Sequence, residues 1–226
     1  MKNKSYIGIS FIILLFGIYA IPKIISRIKN GDIVKGSSLD NVSNQNKATD
    51  LYKVGKVPKF ELTDQNDKNI ADTDYLGKVY VLEFFFTTCP SICPKMNKNM
   101  IDIQNKFFGN PNFGMASISI NPAFDTSKVL KDHAKMLGAI AQNWHFLTGD
   151  KDYIFNISNK GFNLYAGENP KIAGGFEHSG LFALIDKKGN IRCRKDEFGN
   201  PTIYYDGLEK DGVKAIMQDI TLLLEE

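Results

Sequence analysis

Beyond residue 30 the sequence has no excess of basic side chains. Residues 1–30 hold five Lys and Arg and no acid. The rest carries 23 basic against 25 acidic residues, net −2, so the overall +3 belongs to the N-terminus. A nucleic-acid footprint needs a clustered basic surface, and nothing here gives one, so no nucleic-acid partner is expected. There is no internal repeat either, which leaves one domain plus appendages, or at most two small domains, for 226 residues. Chemistry-bearing side chains are few: three cysteines and three histidines.

What the N-terminus lacks is charge. Tyr6–Ile25, YIGISFIILLFGIYAIPKII, has none before Lys23. About 20 residues at about 1.5 Å each span a hydrocarbon core of about 30 Å. The segment offers only Ala20 toward a small-x-small cleavage site, and no cysteine follows to accept a lipid. These absences favour an uncleaved single-pass transmembrane helix over a cleaved signal or a buried helix. Lys2 and Lys4 precede it while Lys23, Arg27 and Lys29 follow, so flanking charge leaves the orientation open. The expected organisation is a membrane anchor over 1–29, a polar flexible tether over 30–50 and one compact α/β domain over 51–226.

Within that domain KFELTD (59–64) alternates and KVYVLEFFF (78–86) is a continuous apolar run, a buried central strand. A helical stripe follows from Pro94 to Phe107. GMASISI and NWHFLTG are further buried strands. Asp125 or Thr126 caps a helix whose face carries Val129, Leu130, Ala134 and Leu137. Asp150 starts another helix. GLFALID and NIRCRKDE bracket the turn KKGN, and Val213, Ile216, Met217, Ile220, Leu223 and Leu224 form a closing amphipathic helix. Strands and helices alternate, with cysteines between the first buried strand and its helix. That order is similar to a thioredoxin-like central sheet flanked by helices.

The thiols stand in FFFTTCPSICPKM (84–96), as Cys89 and Cys93. Pro94 suits a first helical turn, so both sulfurs fall near a helix N-terminus, where unpaired N–H groups favour thiolate. Thiolate both attacks disulfides and binds soft metals. Three residues separate the cysteines where redox thioredoxins have two, and i, i+4 neighbours share one helix face. Two soft ligands select Cu(I), or zinc if more ligands join. A disulfide, a redox couple and a metal clamp all remain open on the pair alone.

A third ligand has to come from the three histidines. His133, flanked by charges in KVLKDHAKM, reads as a solvated helix residue, and His145 in NWHFLTG as a packed or edge strand residue. His178, in GGFEHSGLFALID, stands at a strand entrance that faces the cysteine loop in a thioredoxin-like sheet, which favours it as a ligand. A redox thioredoxin gives that entrance to a cis-proline, absent from GGFEHSGLF; Pro170 is eight residues away. A peroxiredoxin places threonine where this chain has Phe86. Cys193, in the alternating NIRCRKDE, reads as a structural, partly buried thiol.

On these residues the chain resembles the Sco/SenC family, membrane-anchored copper chaperones for cytochrome c oxidase assembly. FFFTTCPSICPKM is similar to the family's Cys-Pro-x-x-Cys-Pro signature. SINPAFDTSKVL, WHFLTG and EHSGLFALID match its later motifs. The resemblance implies copper, chiefly Cu(I) but also Cu(II), held by Cys89, Cys93 and His178. It gives Asp125 an auxiliary redox or docking role. The chain departs from the pattern at Asn121, where the family usually has aspartate. The resemblance further implies an extracytoplasmic (periplasmic) domain held at the cell membrane. Its partners would be the copper-site subunit of cytochrome c oxidase, a copper donor and a thiol reductant. The alternative it leaves is a thiol–disulfide oxidoreductase with Cys89 and Cys93 as its redox pair.

Overall fold

A computed structural model of the chain describes residues 51–226, together with Leu14, Phe16, Ile18, Tyr19, Ile21 and Pro22, which are helical. The expected anchor over 1–29 lies largely outside the described residues, and the tether over 30–50 wholly so. Among the described residues no helix is long and apolar enough to cross a membrane. The chain divides into two compact units, Met1–Lys47 and Ala48–Glu226, and the second carries the fold that follows.

Its centre is β4 (Val79–Phe85), buried at every position as its unbroken apolar run requires. β5 (Phe113–Ser119) pairs with it in parallel, and β6 (Trp144–Thr148) pairs in parallel with β5. The crossovers are α1 (Cys93–Phe107) and α2 (Ser127–Leu137). Thr126 is the N-cap of α2, its Oγ1 accepting from the Val129 N–H at 3.4 Å, and Gly138 ends the helix at φ +77°. Asp125, the other expected cap, is engaged elsewhere. α3 (Lys151–Asn156) starts at Asp150, whose Oδ1 accepts from the Tyr153 N–H at 2.8 Å. It continues as a π-helical segment, Ile157–Phe162, rather than as one α-helix.

The other strands are antiparallel additions. β9 (Leu181–Ile185) pairs with β4, and β10 (Asn190–Lys195) pairs with β9 through the turn expected at KKGN. There Gly189 sits at φ +71° and the Asp186 Oδ1 accepts from the Lys188 and Asn190 N–H groups, both at 2.9 Å. β1 (Tyr52–Lys56) extends the sheet beyond β10. β2 (Glu61–Asp64) and β3 (Asn69–Ala71) extend it beyond β6, giving the order β1-β10-β9-β4-β5-β6-β2-β3. β7 (Ala166–Glu168) and β8 (Phe176–His178) form a separate two-stranded hairpin. β11 (Pro201–Thr202) and β12 (Tyr205–Asp206) pair with β10 and β9, and α4 (Lys210–Glu225) closes the domain.

Alternation along β4 divides the core. Phe84 meets the Phe162 ring at 5.9 Å, whereas Phe85 stacks on His133 of α2 at 5.7 Å. His133 is therefore buried, 8% exposed, and not solvated as its charged neighbours suggest. It falls on the same helical stripe as Leu130, Ala134 and Leu137, and that position overrides its flanks. His145 is half-buried against the Tyr75 ring, with Nδ1 3.2 Å from the Asp64 carboxylate.

Candidate metal centre

β4 carries the chain to the rim of the sheet, where Phe86 is still buried and the Cys89 N–H donates to the Phe86 carbonyl at 3.3 Å. The chain then turns into α1, with Cys93 its first residue and Pro94 next, a position that needs no N–H partner. Cys89 is thus held in the turn and Cys93 at the start of the helix.

His178 arrives from another direction, at the end of β8 opposite Ala166. Its Nδ1 lies 3.0 Å from the Ser179 carbonyl. A carbonyl only accepts, so Nδ1 carries the proton and the Nε2 lone pair is free. Nε2 lies 3.1 Å from Cys93 Sγ. One ligand atom each from Cys89, Cys93 and His178 lie within 4.8 Å of one another, and all three residues are buried. Fixing an imidazole through its other nitrogen is what a metal ligand needs.

The thiols divide a proton unequally. Hydrogen bonding from Cys93 lowers the Cys89 thiol despite its burial, helped by the backbone N–H groups of Cys93 and Ser91. Cys93 is raised, chiefly by that same bond and by its own burial. The loop therefore favours thiolate at Cys89 over Cys93, which places a soft donor beside an imidazole.

Two supports hold this loop. Asp125, wholly buried, accepts from the Thr87 N–H at 3.1 Å and from the Thr87 and Ser119 hydroxyls, so it fixes the chain two residues before Cys89. Asn121 offers its carbonyl to the Asp125 N–H at 2.9 Å. On the other side Phe86 meets His178 edge-on at 5.9 Å and the Phe176 ring at 5.6 Å. Gly174 closes over both Phe86 and Pro90, where a Cβ would come within 2.9 Å of the Phe86 ring. Sequence reasoning did not single out Thr87, Ser119, Gly174 or the Ser179 carbonyl. Of these only the Gly174-Gly175 pair leaves a signal in the sequence. Cys193 lies in β10, wholly buried, and takes no part in the cluster.

The fold and site together define a thioredoxin-like domain whose dithiol loop is completed by an imidazole. Residues 49–210 match the SCO1/SenC family model. The chain belongs to the SCO1/SenC family. It is similar to the SCO1 protein homolog of Bacillus subtilis, 30% identical over 158 residues that cover 69% of this chain and 80% of that one. BsSco, a member of the Sco family of cytochrome c oxidase assembly proteins in which a disulfide switch was identified, matches at 27% identity with a TM-score of 0.63. The match covers 76% of this chain and 95% of that one. Yeast Sco1 with copper bound matches at 25% identity and a TM-score of 0.55, over 74% of this chain and 89% of that one.

Proposed function

We propose that this protein is a copper metallochaperone that binds Cu(I) through Cys89, Cys93 and His178 and delivers it to the dinuclear copper site of cytochrome c oxidase. The observation that carries this reading is the convergence of two sulfurs and one free imidazole nitrogen within 4.8 Å. Two thiolates and an imidazole suit a soft, low-coordinate ion. Copper here is cargo. A three-donor site leaves room for an incoming client thiolate to bind before the old ligands leave, which suits handover over storage. Loading releases the Cys93 proton, since only its thiolate is a good donor. Related proteins with bound copper and with roles in oxidase assembly support the same reading.

The apolar segment Tyr6–Ile25 would hold the domain at the membrane on its extracytoplasmic side, with residues 30–50 as tether. The client would be the copper-site subunit of the oxidase, and a copper donor and a thiol reductant would precede it.

The test is Cu(I) titration of the reduced full chain against a chromophoric competitor. One copper per chain is expected. His178→Ala should weaken binding at least about 100-fold, since losing even an outer partner of a metal ligand costs about 10–100-fold. Unchanged affinity in His178→Ala refutes the three-ligand site.

The unequal proton sharing supports a second reading, a thiol–disulfide oxidoreductase. Cys89 would attack a client disulfide and release one client thiolate. Cys93 would then resolve the mixed disulfide, leaving the client dithiol and a Cys89–Cys93 disulfide. That activity should survive His178→Ala, and copper delivery should not.

A further inference from the structure

His178 reaches the thiols on a hairpin that lies outside the main sheet, and a two-stranded hairpin alone is marginal in water. What holds the hairpin therefore bears directly on the imidazole. The Ser179 N–H donates to the Tyr165 carbonyl at 3.1 Å, which makes those two residues a hydrogen-bonded pair. Ala166 and His178, one step along, face each other without exchanging bonds. The backbone N–H and C=O of Ala166 thus point away from β8, toward the other edge of β7.

Both are taken by one side chain. Asn159 Oδ1 accepts from the Ala166 N–H at 3.0 Å, and Asn159 Nδ2 donates to the Ala166 carbonyl at 2.8 Å. The partners fix the orientation of the amide, because an N–H only donates and a carbonyl only accepts. The Asn159 amide stands where a third strand would offer a peptide group. Among the described residues no other side chain hydrogen-bonds the β7 backbone. Asn159 lies in the π-helical segment that follows α3 and ends at Asn163, φ +54°. There the chain reverses, steadied by Ser158. Its hydroxyl donates to the Leu164 carbonyl at 2.5 Å, and its carbonyl accepts from the Leu164 N–H at 2.9 Å. An asparagine competes with its helix for backbone partners, and here the partners are on β7. Such π-helical turns recur at functional sites.

We propose that Asn159 is the positioning residue for His178. By clamping β7 it sets how β8 presents the imidazole to Cys89 and Cys93. The chain of contacts is short. Asn159 holds Ala166, and Ala166 faces His178. Next to them Tyr165 holds the N–H of Ser179, the residue whose carbonyl takes the His178 Nδ1 proton at 3.0 Å. Without the clamp β7 can shift, the Ser179 carbonyl moves with it, and the imidazole loses the bond that keeps Nε2 free for a metal. Asn159 does for the imidazole what Asp125 does for the cysteine loop.

The consequence for copper rests on the three-ligand reading, whereas the effect on the imidazole does not, so the test has a metal-free arm. In the reduced full chain at about pH 8, where an ordinary imidazole is neutral, imidazole-nitrogen NMR should show His178 as a single Nδ1–H tautomer. Asn159→Ala should give both tautomers at His178 and leave the His133 and His145 signals unchanged, which a general loosening of the domain would not. The second arm is Cu(I) affinity. Asn159→Ala should lower it about 10-fold, as loss of an outer support does. In a His178→Ala background the same substitution should cost less than about 2-fold, because a residue acting through the imidazole has nothing left to act on. Asn159→Asp, of nearly the same size, covers a failure of Asn159→Ala to fold. It sets an acceptor against the Ala166 carbonyl and should show both effects. A single His178 tautomer retained in these variants, or equal disturbance at all three histidines, overturns the proposal. So does a Cu(I) affinity that His178→Ala weakens and Asn159→Ala leaves untouched, or that Asn159→Ala lowers equally with and without His178. If His178→Ala itself leaves Cu(I) affinity unchanged, the three-ligand site falls, and the tautomer spectra alone decide the role of Asn159.

Discussion

Removing the Asp125 carboxylate should loosen the site without touching a ligand, and two substitutions at this position should behave differently. Asp125 Oδ2 accepts from the Thr87 N–H and the Ser119 hydroxyl, and Oδ1 accepts from the Thr87 hydroxyl. In Asp125→Ala the partly buried Thr87 N–H loses its partner, at about 1–3 kcal/mol. The two hydroxyls lose net bonds of about 0.5–1.5 kcal/mol each, for a total of about 2–6 kcal/mol. In Asp125→Asn the amide oxygen can take the place of Oδ2 and keep two bonds. The amide nitrogen then faces the Thr87 hydroxyl, which can turn to accept, so the cost falls to about 1 kcal/mol. Urea denaturation reads the difference. With a slope of about 2 kcal/mol/M, Asp125→Ala should lower the midpoint by about 2 M and Asp125→Asn by about 0.5 M. Cu(I) affinity should fall about 10–100-fold in Asp125→Ala, the usual cost of losing an outer support. Equal midpoints for the two variants, or an Asp125→Ala protein as stable as wild type and binding Cu(I) as tightly, would refute the reasoning.

Gly174→Ala should cost about 2–4 kcal/mol. Its φ is +93° and the added methyl meets Phe86 and Pro90. Gly175→Ala, at φ +76° with open space around it, should cost only about 1–2 kcal/mol in the same urea titration. Because Phe86 packs on His178, only the first should also lower Cu(I) affinity. The pH dependence of stability should show His133. Burial lowers its folded pKa, so the unfolded chain binds the proton first and stability is lost as pH falls below about 6.5. His133→Gln should flatten that limb. It should leave the steeper acid limb, where the lowered Asp64 and Asp186 carboxyls protonate below about 4.

Much of the domain was legible because its strongest signals are local. The apolar run at β4, Pro94 in the first turn of α1, the turn at Gly189 and the cap at Asp150 each follow from a few adjacent residues. The convergence of Cys89, Cys93 and His178 was also readable, since a strand entrance facing the cysteine loop follows from topology. Other features depend on distant partners. β1, YKVGK, is mostly exposed and is a strand only because β10 pairs with it. The hairpin carrying His178 has strands of three residues, below the length at which alternation can be seen. The π-helical segment after α3 carries no sequence mark that sets it apart from a helix. His133 misled because its flanking charges were weighed above its place on the helix stripe. The importance of Asp125 to Thr87 spans 38 residues and cannot be read from either end.

The burial of Cys193 bears on how cleanly the site pair can exchange. Its sulfur is wholly enclosed in β10, between β1 and β9, and burial raises its thiol above the usual range. Thiol exchange needs both access and thiolate, and the third cysteine has neither while the sheet is intact. Whatever exchange Cys89 and Cys93 undergo meets no competing thiol in their own chain. An odd cysteine count, often a route to mispaired bridges, is harmless here because the sheet removes the extra thiol from the reaction.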